Sequence, residues 1–153
     1  MHDIKEDIYR LCEVLWPITR SITGNGVRET LSIIQQEISN LTIHEVPTGT
    51  QCFDWKIPKE WNIKDAYIID PDGKKIIDFQ DSNLHVVSYS TPINQTVPLA
   101  ELQEHLHSLP EQPNAIPYVT SYYEERWGFC LTENQRKTLK EGNYQVCINS
   151  ELS

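Results

Sequence analysis

Residues 118–130, with the sequence YVTSYYEERWGFC, hold three tyrosines, one tryptophan and one phenylalanine. Exposing so many rings is costly, and their polar tips need partners when buried. The segment is therefore typical of a half-buried strand pair or of a binding-site wall. In an extended chain Tyr122 and Tyr123 would point to opposite faces, while Arg126 could hold a carboxylate or stack on Trp127. These four residues are the candidate ligand contacts, and the ordinary alternative is a packed strand pair with a surface salt bridge.

The charge balance narrows the choice of partner. The 153 residues include 13 Lys and Arg against 22 Asp and Glu, a net charge of −9. This balance argues against nucleic acid, which needs a basic patch, and against an anionic membrane surface. No apolar run approaches the ~18 residues that span a bilayer, and the N-terminus does not resemble a secretory signal. We therefore expect a cytoplasmic protein.

Two amphipathic helices are predicted at the start of the chain. A helix over residues 3–15 has apolar positions at spacings of four, three and four. A turn over 20–26 then leads to a second helix, with Asn25 or Thr23 as its cap. The two apolar stripes are Ile4, Ile8, Leu11 and Leu15, and Val27, Leu31, Ile34 and Ile38.

Beyond residue 40 the pattern changes to strands and short helices. A hairpin is predicted around the turn at 71–73, a helix capped by Thr96 with Pro98 in its first turn, and a capping box at Thr132. The last strand, 144–148, has Tyr144, Val146 and Ile148 on one face and predicts an open edge that needs a neighbour. The other predicted strands are 41–46, 53–57, 66–70, 75–79, 84–89, 116–123 and 127–131.

The chain carries little that predicts catalysis or metal binding. On the predicted helix, His105 and His107 would point to opposite sides, and Glu101 with His105 would make at most a weak metal pair. His85 lies in an apolar segment, where a buried, hydrogen-bonded imidazole is expected. The four cysteines form no C-x-x-C pair, and a serine nucleophile motif is absent. The residues alone therefore give no strong signal for a catalytic residue or a metal ligand in this chain, although the sequence leaves spatial pairing of a cysteine with a histidine open.

Several passages together resemble one family. They are residues 17–31, 43–49, 53–61, 84–90, 105–110 and 116–131. They are similar to the bacterial aminopeptidase-like domain family of unknown function, whose members are often labelled polysaccharide-biosynthesis proteins with an aminopeptidase-like domain. The resemblance runs over nearly the whole chain, and its motifs are long. Members resemble zinc-dependent exopeptidases.

The resemblance implies an α+β chain that is part of an α/β parent. The parent core would be a mixed sheet between helices, interrupted by a mostly β inserted module. Residues 1–50 would supply the first helices and strand of the core, and residues 51–130 the inserted module. Residues 131–153 would return to a core that this chain leaves truncated.

The resemblance also predicts where the metal lies. The family's zinc ligands begin in a Cys-His-Pro segment followed by an Asn-Asp pair, beyond the strand that matches 144–148. This chain ends before them. We therefore expect zinc in the full-length parent, no cofactor in this chain, and no peptide hydrolysis by the chain alone.

Three functions stay open from the sequence. The chain is the N-terminal portion of a zinc-peptidase-like hydrolase linked to polysaccharide biosynthesis; or it is a non-catalytic module that binds a peptide or saccharide through Tyr122, Tyr123, Arg126 and Trp127. In the third, it is a structural fragment that self-associates or pairs with a separate metal-bearing chain. That pairing would use the open last strand and the apolar stripe of the second helix.

Overall fold

A computed structural model describes residues 4–153. The chain divides between Glu60 and Trp61 into two compact units. The predicted division into core (1–50 and 131–153) and inserted module (51–130) concerns the longer parent fold and stays a prediction.

The first unit contains two helices and a short hairpin: α1 (Ile4–Leu15), α2 (Asn25–Glu37), β1 (Gln51–Cys52) and β2 (Trp55–Lys56). Both helices were predicted from their apolar spacing, although residue 3 lies outside the described residues. The predicted cap of α2 was wrong. Gly24 is the N-cap and makes no side-chain cap hydrogen bond. The chain enters α2 with Gly24 at φ 92°, a backbone conformation that glycine adopts without steric cost.

Of the two strands predicted for the first unit, one was wrong and the other formed only in part. Residues 41–46 form no regular structure and are mostly exposed. The predicted strand 53–57 is instead a turn and a two-residue strand, with Phe53 in the turn at φ 53° and 96% exposed. β-Branched and aromatic residues favour a strand only where a neighbouring strand completes the backbone hydrogen bonds. Elsewhere in this unit, Arg28 of α2 forms an ion pair with Glu60.

The second unit is built on a four-stranded antiparallel sheet. Its elements in chain order are β3 (Trp61–Ile69), β4 (Lys75–Asp78), β5 (Ile93–Pro98), α3 (Leu99–Leu102), β6 (Leu106–His107), β7 (Phe129–Cys130), α4 (Glu133–Lys137) and β8 (Asn143–Leu152). The strand order in the sheet is β4-β3-β8-β5, and β6 pairs with β7 in a separate two-stranded sheet. With its helices and antiparallel strands, the chain is an α+β protein, as predicted.

The hairpin of β3 and β4 confirms the turn predicted at 71–73. Gly73 adopts φ 80°, and the Asp70 side chain accepts hydrogen bonds from the backbone N–H groups of Asp72 and Lys74 at 3.0 and 2.8 Å. An aspartate that bonds the backbone ahead of it stabilises such a turn. The capping box at Thr132 is also confirmed. Its hydroxyl oxygen accepts from the Gln135 N–H, and the Gln135 side chain accepts from the Thr132 N–H.

The prediction that the last strand has an open edge was wrong. β8 is longer than predicted and lies inside the sheet, with β3 on one side and β5 on the other. Its partners come from much earlier in the chain, so no local pattern points to them. β5 was itself missed because three of its six residues, Asn94, Gln95 and Thr96, are polar and adjacent.

The segments between β4 and α4 also differ from the prediction. Residues 83–85 form a 3-10 helix rather than a strand, and Thr96 lies in β5 rather than at a helix cap. α3 has only four residues, Pro98 is its N-cap, and a 3-10 turn at 103–105 follows. Of the strands predicted at 116–123 and 127–131, only Phe129–Cys130 forms a strand. Most of residues 116–131 is held by tertiary contacts rather than by the backbone hydrogen bonds of a β-sheet.

The core of the second unit lies on one face of its main sheet. Its fully buried members include Leu102, Phe129, Leu131, Val146 and Cys130. Burial raises the pKa of the Cys130 thiol to about 12, so the group stays protonated near neutral pH. Within residues 4–153, the helices are all too short or too polar to cross a membrane.

Candidate functional site

The loop at residues 86–91 brings the aromatic segment against the sheet. The backbone N–H of Ser88 donates to the Val119 carbonyl at 2.9 Å, and the N–H of Ser121 donates back to the Ser88 carbonyl at 2.9 Å. Further along, the N–H of Thr91 donates to the Arg126 carbonyl at 3.0 Å. These backbone bonds fix residues 118–128 beside the sheet without an extended strand pair.

Five aromatic residues meet there, and we call them the tyrosine cluster: Trp61, Tyr89, Tyr118, Tyr122 and Tyr123. Trp61 stacks on Tyr89 with ring centroids 5.9 Å apart. Tyr122 meets Tyr89 edge-on at 5.2 Å and Tyr123 edge-on at 6.1 Å, and its hydroxyl lies 3.0 Å from that of Tyr118. Such offset and edge contacts are the arrangements that aromatic pairs prefer.

Side-chain exposure within the tyrosine cluster increases from the protein interior to the surface. Trp61 and Tyr89 are each 4% exposed, whereas Tyr118 is 59% and Tyr123 78% exposed. A buried ring pair thus anchors two solvent-facing tyrosines. That arrangement gives a ligand rigid apolar area together with hydroxyl groups for hydrogen bonding.

Tyr89 has an unusual backbone conformation, with φ at 68°. A bulky residue in this left-handed region costs about 1–3 kcal/mol and persists only where the surroundings enforce it. The hydrogen bonds of the next residue, Ser90, restrain the backbone here. The Ser90 carbonyl accepts from the indole N–H of Trp61 at 2.9 Å and from the Ser150 hydroxyl at 2.7 Å, and the Ser90 hydroxyl oxygen accepts from the Gly128 N–H at 3.2 Å. Strain held in this way is often found at functional sites.

Arg126 and Trp127 are placed differently from the two predicted tyrosines. Arg126 is exposed, and one of its guanidinium N–H groups donates to the Thr120 carbonyl at 3.0 Å. Trp127 stacks on the His105 ring at 3.6 Å between centroids and meets Phe129 edge-on at 6.3 Å. Its ring therefore faces the core rather than the cluster. Among residues 4–153, no ion pair joins Arg126 to a neighbouring acid.

The three histidines of the second unit have structural surroundings. His85 is buried, and its Nδ1 lies 2.8 Å from the Cys130 carbonyl, which confirms the predicted hydrogen-bonded imidazole. The predicted helix carrying His105 and His107 was wrong, because His105 ends a 3-10 turn and His107 lies in β6. Burial lowers the pKa of His107, and the nearby guanidinium of Arg126 lowers it further. Both effects favour the neutral ring.

The described residues do not fit a zinc ion. Over residues 4–153, no group of three or more His, Cys, Asp or Glu side chains is placed to hold a metal. A structural zinc site takes four such ligands and a catalytic site takes three. The zinc that the resemblance implies therefore finds no ligand set in the described part of this chain.

A groove between the β3–β4 turn and α4 has a volume of about 350 Å³. Two of its lysines are already in ion pairs, Lys140 with Asp72 and Lys75 with Asp78, both at 2.8 Å. A third lysine, Lys74, lines the groove together with Asp70, and these few exposed charges form no aromatic or strained binding surface. The tyrosine cluster, with its strained anchor and exposed rings, is the better candidate site.

Sequence reasoning found only part of this cluster. It selected Tyr122 and Tyr123 from the density of rings around them. It did not select Trp61 and Tyr89, which reach the cluster from β3 and from the loop at 86–91. No local signal marks these two residues, because the contact joins segments about 30 residues apart or more in the chain.

The fold and the site together define a class: an α+β chain whose second unit presents an anchored aromatic cluster on an antiparallel sheet. The chain belongs to the family described as Domain of unknown function (DUF2172), which matches residues 60–151. These bounds coincide closely with the second compact unit, which begins at Trp61.

Two relatives from Clostridium acetobutylicum give the wider context. One is provisionally named a polysaccharide biosynthesis protein with aminopeptidase-like domain, and it is 55% identical over 146 residues, 95% of this chain. The other is a crystal structure whose protein is provisionally described as a peptidase. It matches 97% of this chain with a TM-score of 0.91 and 54% identity. The chain covers 33% of the first relative and 35% of the second, about a third of each.

Proposed function

We propose that this chain is the N-terminal portion of a cytoplasmic aminopeptidase-like protein linked to polysaccharide biosynthesis. In this role the second unit holds a peptide substrate against the tyrosine cluster, while the rest of the protein supplies the zinc and carries out hydrolysis. The supporting observation is the 55% identity, over 95% of this chain, to a relative whose name includes an aminopeptidase-like domain. Because the chain spans 33% of that relative, the whole activity needs the remaining polypeptide.

The chemistry of the described residues agrees with a supporting role. Metal-assisted hydrolysis needs a polarised water and a base close to it. Residues 4–153 offer no metal ligand set, and burial keeps the Cys130 thiol protonated. What the chain offers instead is a surface on which a substrate can be positioned.

Zinc content and peptidase activity test this proposal together. We expect the purified chain, after dialysis against zinc, to retain less than a molar equivalent and to release no p-nitroaniline from aminoacyl-p-nitroanilides. The full-length relative from Clostridium acetobutylicum should retain zinc and hydrolyse at least one substrate of the panel, and a chelator should stop it. Chelator-sensitive hydrolysis by the chain alone, or a zinc-free and inactive relative, would contradict the proposal.

A second function, ligand binding without catalysis, is favoured by the exposure of Tyr123 (78%) and Tyr118 (59%) on a buried aromatic anchor. The flat face of an exposed ring suits the C–H face of a sugar or an apolar peptide side chain. The exposed guanidinium of Arg126, a few residues along, adds a group that bonds carboxylates. The ligand would therefore be a saccharide or a peptide, with an acidic group where Arg126 takes part.

Replacing Tyr123 with alanine should weaken the binding of such a ligand by about 2- to 10-fold. An aromatic pair contributes about 0.5–1.5 kcal/mol beyond its buried area. Calorimetric titration with oligosaccharides and short peptides would measure the change. Tyr9→Ala is the matched control, because Tyr9 is also exposed (67%) and lies in α1. Equal weakening in both variants, or no binding to the unmodified chain, would rule this function out.

A further inference from the structure

Three side chains of the second unit that are cationic, or can become so, lie near one another although they are far apart in the sequence. They are His107 in β6, Arg126 at the end of the aromatic segment and Arg136 in α4, and we call them the basic triad. A Cβ atom placed on Gly128 would lie 3.3 Å from the Nε2 atom of His107, so the ring lies against the backbone two residues after Arg126. The Arg136 guanidinium donates to the hydroxyl oxygen of Ser108, the residue after His107, at 3.3 Å.

Both arginines are held by neutral oxygen atoms rather than by acids. Arg126 donates to the Thr120 carbonyl at 3.0 Å. Arg136 donates to the side-chain and backbone oxygens of Gln103 at 2.7 and 3.0 Å. Within residues 4–153, neither guanidinium takes part in an ion pair. A guanidinium has five N–H donors, so each group is fixed in place and keeps donors for a ligand.

His107 lies in the electric field of both guanidinium groups. Burial lowers the pKa of His107, and the positive charges of Arg126, Arg136 and His105 lower it further. Among the described residues, none forms a hydrogen bond with the His107 ring. A half-buried imidazole without a partner, close to two positive charges, stays neutral until a negative charge arrives beside it.

The other titratable groups beside His107 do not supply that negative charge. Cys130 pairs with His107 in the β6–β7 ladder, and burial keeps its thiol protonated. The Glu133 carboxylate accepts from the Ser108 hydroxyl at 2.7 Å and forms an ion pair with Lys137 at 3.4 Å. The local balance of fixed charge therefore remains positive, although the whole chain carries −9.

The composition of the basic triad indicates which anion it would take. The fork of a guanidinium matches the oxygens of a phosphate or a carboxylate. Two guanidinium groups and an imidazole that can take up a proton balance a dianion better than a carboxylate with one charge. A phosphate monoester carries about −1.5 to −2 charges near neutral pH. Nucleic acid is a poorer match, because its repeated phosphates need an extended basic surface.

We propose that the basic triad binds a phosphate dianion, free or carried as the monoester of a larger ligand. Arg126 and Arg136 donate to its oxygens, and His107 takes up a proton from solvent as the anion binds. Thr120, whose carbonyl holds Arg126, lies between Tyr118 and Tyr122 in the sequence, so the organic part of a monoester would lie beside the tyrosine cluster. The site involves neither zinc nor hydrolysis, and it does not depend on the proposed function.

The pKa of His107 measures binding directly. We would follow the carbon-bound imidazole protons by nuclear magnetic resonance as a function of pH at constant ionic strength, and assign them with His107→Asn. Inorganic phosphate should raise the pKa of His107 by about one pH unit, because a nearby anion stabilises the imidazolium. Sodium acetate at the same ionic strength should leave it unchanged. Equal rises in the two salts would mean general screening and would overturn the proposal.

Glucose 1-phosphate distinguishes the two sources of phosphate. Tighter binding than inorganic phosphate would identify the ligand as a monoester whose organic part contacts the protein. Equal or weaker binding would identify free phosphate. If neither compound changed the pKa of His107, the basic triad would not be a phosphate site.

Two glutamine substitutions separate the site from a general effect of charge. Arg126→Gln and Lys137→Gln each remove one positive charge from an exposed side chain, and circular dichroism verifies the fold of both. Arg126→Gln should raise the pKa of His107 in the absence of phosphate and weaken phosphate binding about tenfold, the size expected for one charge-assisted hydrogen bond. Lys137→Gln should leave both quantities unchanged. Equal phosphate binding by the two variants, or an unchanged pKa of His107 in Arg126→Gln, would overturn the proposal.

Discussion

Phe129→Ala is expected to lower the free energy of unfolding of the second unit by about 3–5 kcal/mol, the range for removing a buried aromatic ring. Phe129 is 0% exposed. It pairs with Leu106 across the β6–β7 ladder, forms a bridge with Val86, and meets the Trp127 ring edge-on. A ring with neighbours on several sides leaves a cavity that the surroundings fill only in part.

Urea unfolding followed by circular dichroism would measure this loss. Phe53→Ala is the matched control, since Phe53 is 96% exposed and its truncation should change the free energy of unfolding by less than about 0.5 kcal/mol. A change in Phe129→Ala as small as that of the control would mean that the ring does not lie in the core.

Trp61→Ala should also lower the free energy of unfolding of the second unit by about 3–5 kcal/mol, because Trp61 is buried as well. This substitution also removes contacts within the candidate site. The indole stacks on Tyr89 and donates to the Ser90 carbonyl, and these contacts help to hold Tyr89 in its left-handed conformation. Without them we expect the asymmetric environment of the tyrosine rings to be lost, and with it their near-ultraviolet circular dichroism.

Trp61→Phe separates the contribution of ring packing from that of the indole hydrogen bond. A phenylalanine keeps most of the packing and removes the N–H donor, so its cost should be near the 0.5–1.5 kcal/mol typical of one hydrogen bond. The Ser90 carbonyl still accepts from the Ser150 hydroxyl. If both variants unfolded at the same urea concentration as the unmodified chain, Trp61 would not anchor the cluster.

Local sequence patterns predicted the elements that depend on local contacts. α1 and α2 followed from apolar spacing, the β3–β4 hairpin from the turn at 71–73, and the start of α4 from the capping box at Thr132. In each case the residues that form the element are close in sequence. Propensity and hydrogen bonding then agree within a single segment.

The prediction failed where a segment depends on a distant partner. Residues 41–46 are rich in β-branched residues but find no neighbouring strand. Ile93–Pro98, with three polar residues at its centre, becomes β5 because β8 pairs with all six of its residues. The same reason explains why only part of the candidate site was predicted. Tyr122 and Tyr123 were predicted from composition, whereas Trp61 and Tyr89 were not.

The position of β8 inside the sheet also sets the order in which the nascent chain can fold. β3 and β4 are adjacent in sequence and can pair as soon as both leave the ribosome. β8 is synthesised after the other three strands of the sheet, and it supplies the pairing partner of both β3 and β5. Contacts between segments so far apart form slowly, and an unpaired strand edge invites association with other chains while it waits. The second unit is therefore most vulnerable to aggregation during its own translation, before residues 143–152 arrive to close the sheet.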